Sequence, residues 1–151
     1  MSGTAMQYDL SAIDQAREQI EKLSDLNKRE LLEGLGAELE SQTRRRLSSE
    51  KTDPDGKAWE PLTDKWKARK AEKSSGGLLD YQGHLIDSIA YQVQGNQVEV
   101  GSGLIYAAIH QHGGEPVGSA IPAREYLGIS DDNADDLNAI VEDFIAGVMN
   151  P

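Results

Sequence analysis

Apolar residues recur at helical intervals in four stretches of the chain and alternate with polar residues in one. Near the start, Leu10, Ile13, Ile20 and Leu23 fall at near-helical spacing, and Ser11 with Asp14 resembles an N-cap with an acidic residue at its third position. Asn27 and Glu30 repeat that pattern and open a longer helix. Its stripe runs through Leu31, Leu32, Leu35, Leu39 and Leu47, weakened by roughly 1 kcal/mol at each of Gly34 and Gly36. The two stretches read as a helix pair or as one kinked helix. Leu104, Ile105, Ala108, Ile109 and His112 mark a third helix, stopped by Gly113-Gly114. Leu137, Ile140, Val141, Phe144, Ile145 and Val148 mark an amphipathic C-terminal helix. Four carboxylates between Asp131 and Asp136 precede it, where the helix dipole favours negative charge.

The alternating stretch predicts a hairpin. Ile89, Tyr91 and Val93 alternate with polar or small residues, Gly95-Asn96 offers a two-residue turn, and Val98 and Val100 alternate again. Pairing Gln94 with Gln97, Val93 with Val98 and Tyr91 with Val100 puts every apolar pair on one face.

Between these elements the chain carries turn chemistry. Thr52-Asp53-Pro54-Asp55-Gly56 combines a fixed φ, a self-capping side chain and a residue free to take positive φ. Trp59, Pro61 and Leu62 follow, with Trp59 placed to anchor the loop on the core, and Thr63 caps a short basic helix reaching about Lys73. Ser74-Ser75-Gly76-Gly77 reads as a linker. A Gly- and Pro-rich loop runs to Ile121-Pro122, and Tyr126, Leu127 and Ile129 predict a short strand. The expected fold is α+β, a small antiparallel sheet with a central hairpin, flanked by N-terminal and C-terminal helices. Residues 1–9 are expected to be disordered, and 10–151 to form a single domain with flexible loops near 48–61, 74–77 and 113–120, of which 48–61 and 113–120 are expected to order on assembly.

Composition narrows the functional classes. Leu, Ile, Val and Phe make up 32 of 151 residues, close to the roughly 20% below which highly charged chains tend toward disorder, so the core is thin and part of the apolar surface is expected to meet a partner. The net charge of −11 speaks against a general nucleic-acid binder. Absence of cysteine removes disulfides, thiolate nucleophiles and Cys-based metal sites. The longest apolar run, Leu104 to Ile109, is far short of the roughly 20 residues a membrane helix needs. The opening MSGTAMQYDL has neither a basic stretch nor an apolar core, so no secretory leader is expected and synthesis in a cytoplasm is.

Charge is unevenly placed. Residues 44–73 carry ten basic and six acidic side chains, whereas residues 125–151 carry seven acidic and no basic ones. Arg44, Arg45 and Arg46 with Lys65, Lys67, Arg69, Lys70 and Lys73 form a candidate basic patch. Such a face either is simply solvated or meets the acidic C-terminal end of another subunit or partner.

Catalytic patterns are weak. His84, His110 and His112, with an acid such as Asp87, are the available metal-binding set, but His110 and His112 point about 200° apart on a helix and no HExxH spacing occurs. Ser88, Ser102 and Ser119 lack a nucleophile elbow, and neither a phosphate-binding nor a dinucleotide-binding glycine loop is present. No catalytic, cofactor or metal site is assigned.

Five blocks occur in order: Pro54-Asp55-Gly56-x-x-Trp59-x-Pro61-Leu62; Gly83-x-Leu85-x-x-Ser88-Ile89; Val98-x-Val100-Gly101-Ser102; Tyr106-Ala107-x-Ile109-His110-Gln111-x-Gly113; and Ile121-Pro122-Ala123-Arg124-x-Tyr126-Leu127-Gly128. This string, covering about residues 54 to 130, resembles the phage virion morphogenesis family, the tail-completion proteins of contractile-tailed temperate phages and Mu-like prophages. Two positions depart from the family pattern: His112 stands where an aromatic often follows His-Gln, and Glu125-Tyr126 stands where Pro-Phe is common.

The resemblance implies a non-enzymatic subunit that completes the tail or joins it to the head. It would sit in the virion tail or neck after assembly in the host cytoplasm. Implied partners are other tail or head–tail connector proteins, with a homo-oligomeric ring on assembly, no cofactor, no sequence-specific nucleic acid and no membrane. Tyr106, His110, Gln111, Pro122, Arg124 and Tyr126 become the candidate assembly interface, the alternative for them being packing inside the fold. Other readings are a tail-terminator ring subunit capping the tail tube, a metal-dependent hydrolase using His84, His110 and His112, and a free-standing binding module.

Overall fold

The computed structural model describes residues 4–9, 24–72, 78–79 and 83–149. The helix expected over residues 10–23 and the linker Ser74–Gly77 lie outside the described residues. The rest is α+β, with five α-helices and a three-stranded antiparallel sheet among the described residues.

The sheet is built on the predicted hairpin. β2 (Ala90–Gln94) and β3 (Gln97–Ser102) pair with Tyr91 opposite Val100, Val93 opposite Val98 and Gln94 opposite Gln97, the register expected from the alternation. Gly95 turns the chain at φ +56°. On the other edge of β3 lies β1 (Thr4–Asp9), running antiparallel from Thr4 opposite Ser102 to Asp9 opposite Gln97. The expectation of disorder over residues 1–9 is therefore corrected for 4–9. That segment has little strand signal of its own, and its order comes from a ladder with residues far along the chain. Gln7 adds a cross-strand hydrogen bond, donating from Nε2 to Glu99 Oε2 at 3.0 Å.

Helix α1 (Asp25–Arg45) lies across β2 and β3. Its cap lies three residues before the expected one: Ser24 rather than Asn27 holds that position, its Oγ accepting from Asn27 N–H at 3.2 Å. Its predicted stripe is buried: Leu31, Leu32, Leu35, Leu39 and Leu47 all face the core with Val98 and Val100. The helix runs on into one π-helical turn, Arg46–Glu50, ended by Lys51 at φ +56°. The two glycines of α1 differ in kind. Gly34 is exposed with no neighbour near a would-be Cβ, whereas a Cβ at Gly36 would fall into the Tyr91 ring. Helix and sheet thus approach closely at Gly36.

Three short helices, α2 (Asp64–Ala71), α3 (His84–Ser88) and α4 (Ala107–His112), lead into a 3-10 turn at Glu115–Val117. The last helix, α5 (Asp131–Met149), packs on α1. It buries Leu137, Val141 and Ile145 and half-buries Ile140, Phe144 and Val148, two adjacent rows at four-residue spacing. Its start is a reciprocal cap: Asn133 N–H donates to Ser130 Oγ at 3.1 Å, and Ser130 N–H to Asn133 Oδ1 at 3.4 Å. None of the described helices is long and apolar enough to cross a membrane.

The contrast in α1 predicts opposite outcomes for one substitution at two sites. Gly34→Ala should stabilise the chain by about 1 kcal/mol through helix propensity, and Gly36→Ala should destabilise it by about 1–3 kcal/mol by overpacking against Tyr91. Urea unfolding of both variants checks this.

Candidate functional site

Residues 121–130 form no strand, contrary to the expectation at Tyr126, Leu127 and Ile129. Tyr126 and Leu127 are buried, so their backbone polar groups need partners that an absent neighbouring strand cannot supply. Side chains supply them. Gln111 Oε1 accepts from both Tyr126 N–H and Leu127 N–H at 3.0 Å. Buried Arg46 donates to Tyr126 O at 2.6 Å, to Gly128 O at 3.4 Å and to Asn133 Oδ1 at 2.6 Å. Trp59 Nε1 donates to Glu125 O at 2.9 Å. Arg124 returns the connection, donating through Nε to Glu60 O at 2.7 Å and through an Nη to Pro61 O at 3.4 Å. Gly128, at φ +150°, lies so close to the Pro54 ring that any Cβ would collide with it. Segments 54–61, 107–111 and 124–128, far apart in sequence, are one junction in space.

Helix α4 belongs to this junction by one face only. Ala107 and Gln111, four residues apart, are buried, and Ala107 O accepts the Tyr126 hydroxyl at 2.9 Å. Tyr106 and His110 occupy the adjacent row and meet edge to face, ring centroids 6.0 Å apart. That outer face looks into a groove of about 710 Å³. Leu62, Leu78, Leu79 and Leu85 make its apolar lining, and Trp66 and Tyr106 add two exposed aromatic rings. Arg69, Lys70, Arg124, His84 and His110 surround it with basic groups, Glu72 being the acid of the described lining.

Helix α2 forms one wall and has no buried side chain. Its Arg69 guanidinium lies over the Trp66 ring, 5.2 Å from the centroid. Burial, reinforced by the charges of Arg124 and Lys70, pushes His110 below the usual histidine range. Burial also lowers Arg124, opposed by nearby Glu60, and raises the Tyr126 phenol.

The expected interface residues therefore divide. Gln111, Arg124 and Tyr126 are buried in the subunit and satisfied there, so their side chains hold the junction rather than present a contact surface. Pro122 is half-buried in the loop that they hold. Tyr106 and half-buried His110 remain at the groove. The expected basic patch divides as well. Successive residues on a helix point about 100° apart: Arg46 turns inward, Arg44 reaches Ile89 O and Glu40, and Arg45 pairs with Glu50. Lys65, Lys67 and Arg69 stay exposed on α2, with Lys70 half-buried beside them.

The three histidines do not converge. His84 and His110 line the groove, while His112 lies 3.4 Å from Thr4 Oγ1 on β1. Among the described residues no three His, Asp or Glu side chains could hold a metal ion. Ser88 and Ser102 hydroxyls contact each other at 2.7 Å, and Ser102 Oγ accepts from Leu104 N–H, as turn residues do. Trp66 escaped the sequence reading because nothing in its short, basic helix is periodic; a lone tryptophan among lysines was the available signal.

A family model described as the phage virion morphogenesis family matches residues 8–146. A curated protein of Escherichia phage Mu, named "Putative capsid assembly protein G", is 39% identical over 84 residues, 51% of this chain and 54% of that protein. The matched region thus spans about half the length of that relative. No solved structure matches the chain.

Two expectations follow from the geometry. Gln111→Leu keeps the volume but orphans two buried amides, so it should destabilise by about 2–4 kcal/mol, whereas Tyr126→Phe, losing one hydroxyl contact, should lose about 1 kcal/mol; denaturant titration separates them. His110 resists protonation in the folded chain relative to its ordinary 6.5. Both states are neutral well above that value. As pH falls through it the unfolded chain takes up the proton first, so stability is lost until the lower folded value is passed. The stability difference between native chain and His110→Gln should therefore shift against the native chain from about pH 7 to pH 5.

Proposed function

The chain belongs to the phage virion morphogenesis family, and from that premise we propose that it is a structural subunit of tail completion or head–tail joining. One observation carries this reading: the family match runs from residue 8 to 146 and so takes in both the junction and the groove. A part in phage virion assembly follows from the family itself. The finer placement, in the tail or neck, rests on the ordered sequence blocks; the Mu relative, named for capsid assembly and matched over about half its length, supports the part in virion assembly.

The geometry supports an architectural rather than a catalytic part. The polar side chains that the sequence motifs supply, Gln111, Arg124 and Trp59 Nε1, are taken up in holding backbone to backbone. The groove, by contrast, presents exposed aromatic rings set among cations, a combination typical of contact sites. Its partners in this reading are other tail or connector proteins and further copies of the chain, closing a ring around the DNA path. A net charge of −11 suits a wall past which DNA slides without sticking.

Interrupting the gene in an inducible prophage and examining the particles by electron microscopy tests the proposal. Filled heads and tails that remain unjoined or incomplete, with infectivity restored when the chain is supplied in trans, are expected. Complete, infectious particles without the chain overturn it. Tails of irregular length point instead to a terminator that caps the tube.

A further inference from the structure

One wall of the groove is a helix little covered by the described residues. Helix α2 has eight residues and no buried side chain. Helices shorter than about 12–15 residues are marginal in water without tertiary packing. Yet α2 places Trp66, 55% exposed, on the same groove as Tyr106, 41% exposed, over an apolar floor, and Ile105, before Tyr106 in the chain, is 77% exposed. Exposed aromatic rings over a concave apolar surface, with cations around them, match the anchor pockets of protein contacts.

A surface of opposite character lies elsewhere on the same chain. At the start of α5, Asp131, Asp132, Asp135 and Asp136 are all exposed, and Ile129 lies beside them at 36% exposure. Asp131, Asp132, Asp136 and Ile129 border a cleft that also carries Glu50, Asp53 and Asp55, with Arg45 and Arg46, which pair with Glu50 and with the junction. No residue of α5 lines the groove. One surface therefore sets an isoleucine among carboxylates, and the other is an apolar hollow bordered by Arg69, Lys70 and Arg124, with Lys65 and Lys67 exposed on the same helix α2. A chain of net charge −11 repels DNA from its surface as a whole, which favours an acidic protein segment over nucleic acid as the occupant.

We propose that the groove of one copy receives Ile129 and the acidic first turns of α5 from the next copy. Because the two surfaces differ, the contact is heterologous, running head to tail, and successive copies close into a ring or propagate along an axis. The biological use of this contact rests on the assembly role proposed above; the contact itself requires only the chain.

Zero-length carbodiimide coupling of carboxylates to amines, on an equal mixture of normal and heavy-nitrogen-labelled full-length chain, reads the contact directly. Mixed-isotope peptides should join Lys65, Lys67 or Lys70 to the Asp131–Asp136 segment, and should fade as salt is raised. Sedimentation then tests the charges. Lys65→Glu with Arg69→Glu, and separately Asp135→Lys with Asp136→Lys, should each weaken self-association by roughly a hundredfold through like-charge juxtaposition. All four substitutions together in one chain should restore it to within about tenfold of native. Neither pair is expected to unfold the subunit, since α2 has no buried side chain and Asp135 and Asp136 are exposed beyond the first turn of α5; circular dichroism checks this.

Absence of mixed-isotope links between these segments, or failure of the fourfold variant to recover while folded, overturns the proposal. So does a native chain that stays monomeric but shifts duplex DNA through Lys65 and Arg69, which would assign the wall to nucleic acid. Loss of infectivity on gene interruption without self-association sinks this contact and leaves the assembly role. Self-association with normal particles does the reverse.

Discussion

Buried chain that is neither helix nor strand must still satisfy its backbone, and the arrangement of this protein is organised around meeting that demand at Tyr126 and Leu127. Gln111, Arg46 and Trp59 provide the hydrogen bonds that a neighbouring strand would otherwise provide. Each comes from a different part of the chain: α4, the end of α1, and the turn after it. Removing Gln111 or Arg46 leaves buried polar groups without partners, so the segments are mutually dependent. Arg46 extends the dependence to α5 through Asn133, whose side chain also closes the helix cap.

The same arrangement positions the groove. Because Ala107 and Gln111 are fixed inward, Tyr106 and His110 on the neighbouring row of α4 are fixed outward. Arg124 is held by Glu60 and Pro61 carbonyls while its charge still acts on His110. The groove therefore has one side tied to the junction and another, α2, that buries no side chain of its own.

What could be read from the amino acids followed from range. The hairpin register was legible because two-residue alternation and a Gly-Asn turn leave one pairing with all apolar residues on one side, and the α1 and α5 stripes were legible because their spacing is local. β1 was not, since Thr4–Asp9 becomes a strand only against β3. The Tyr126–Ile129 segment has strand-like composition, but its partner is a glutamine side chain, which no periodicity announces. The Arg44–Arg46 run looked like a single patch, and a helix distributed it over three directions. The motif blocks of the tail-completion resemblance were visible in order, yet their meaning was not: Trp59, Gln111, Arg124 and Tyr126 hold the junction, and the groove beside it is lined in large part by residues outside the blocks, Trp66, Arg69, Lys70, Leu78 and Leu79.

Helix α2 separates two kinds of selection on this chain. Surface substitutions that touch no buried group generally alter stability by no more than about 0.5 kcal/mol, so the eight residues from Asp64 to Ala71 can change charge, shape or partner with almost no penalty to folding. The junction has no such freedom, since each of its side chains answers a particular backbone atom. A lineage could therefore follow a drifting neighbour by rewriting one short helix while leaving the scaffold that presents it intact.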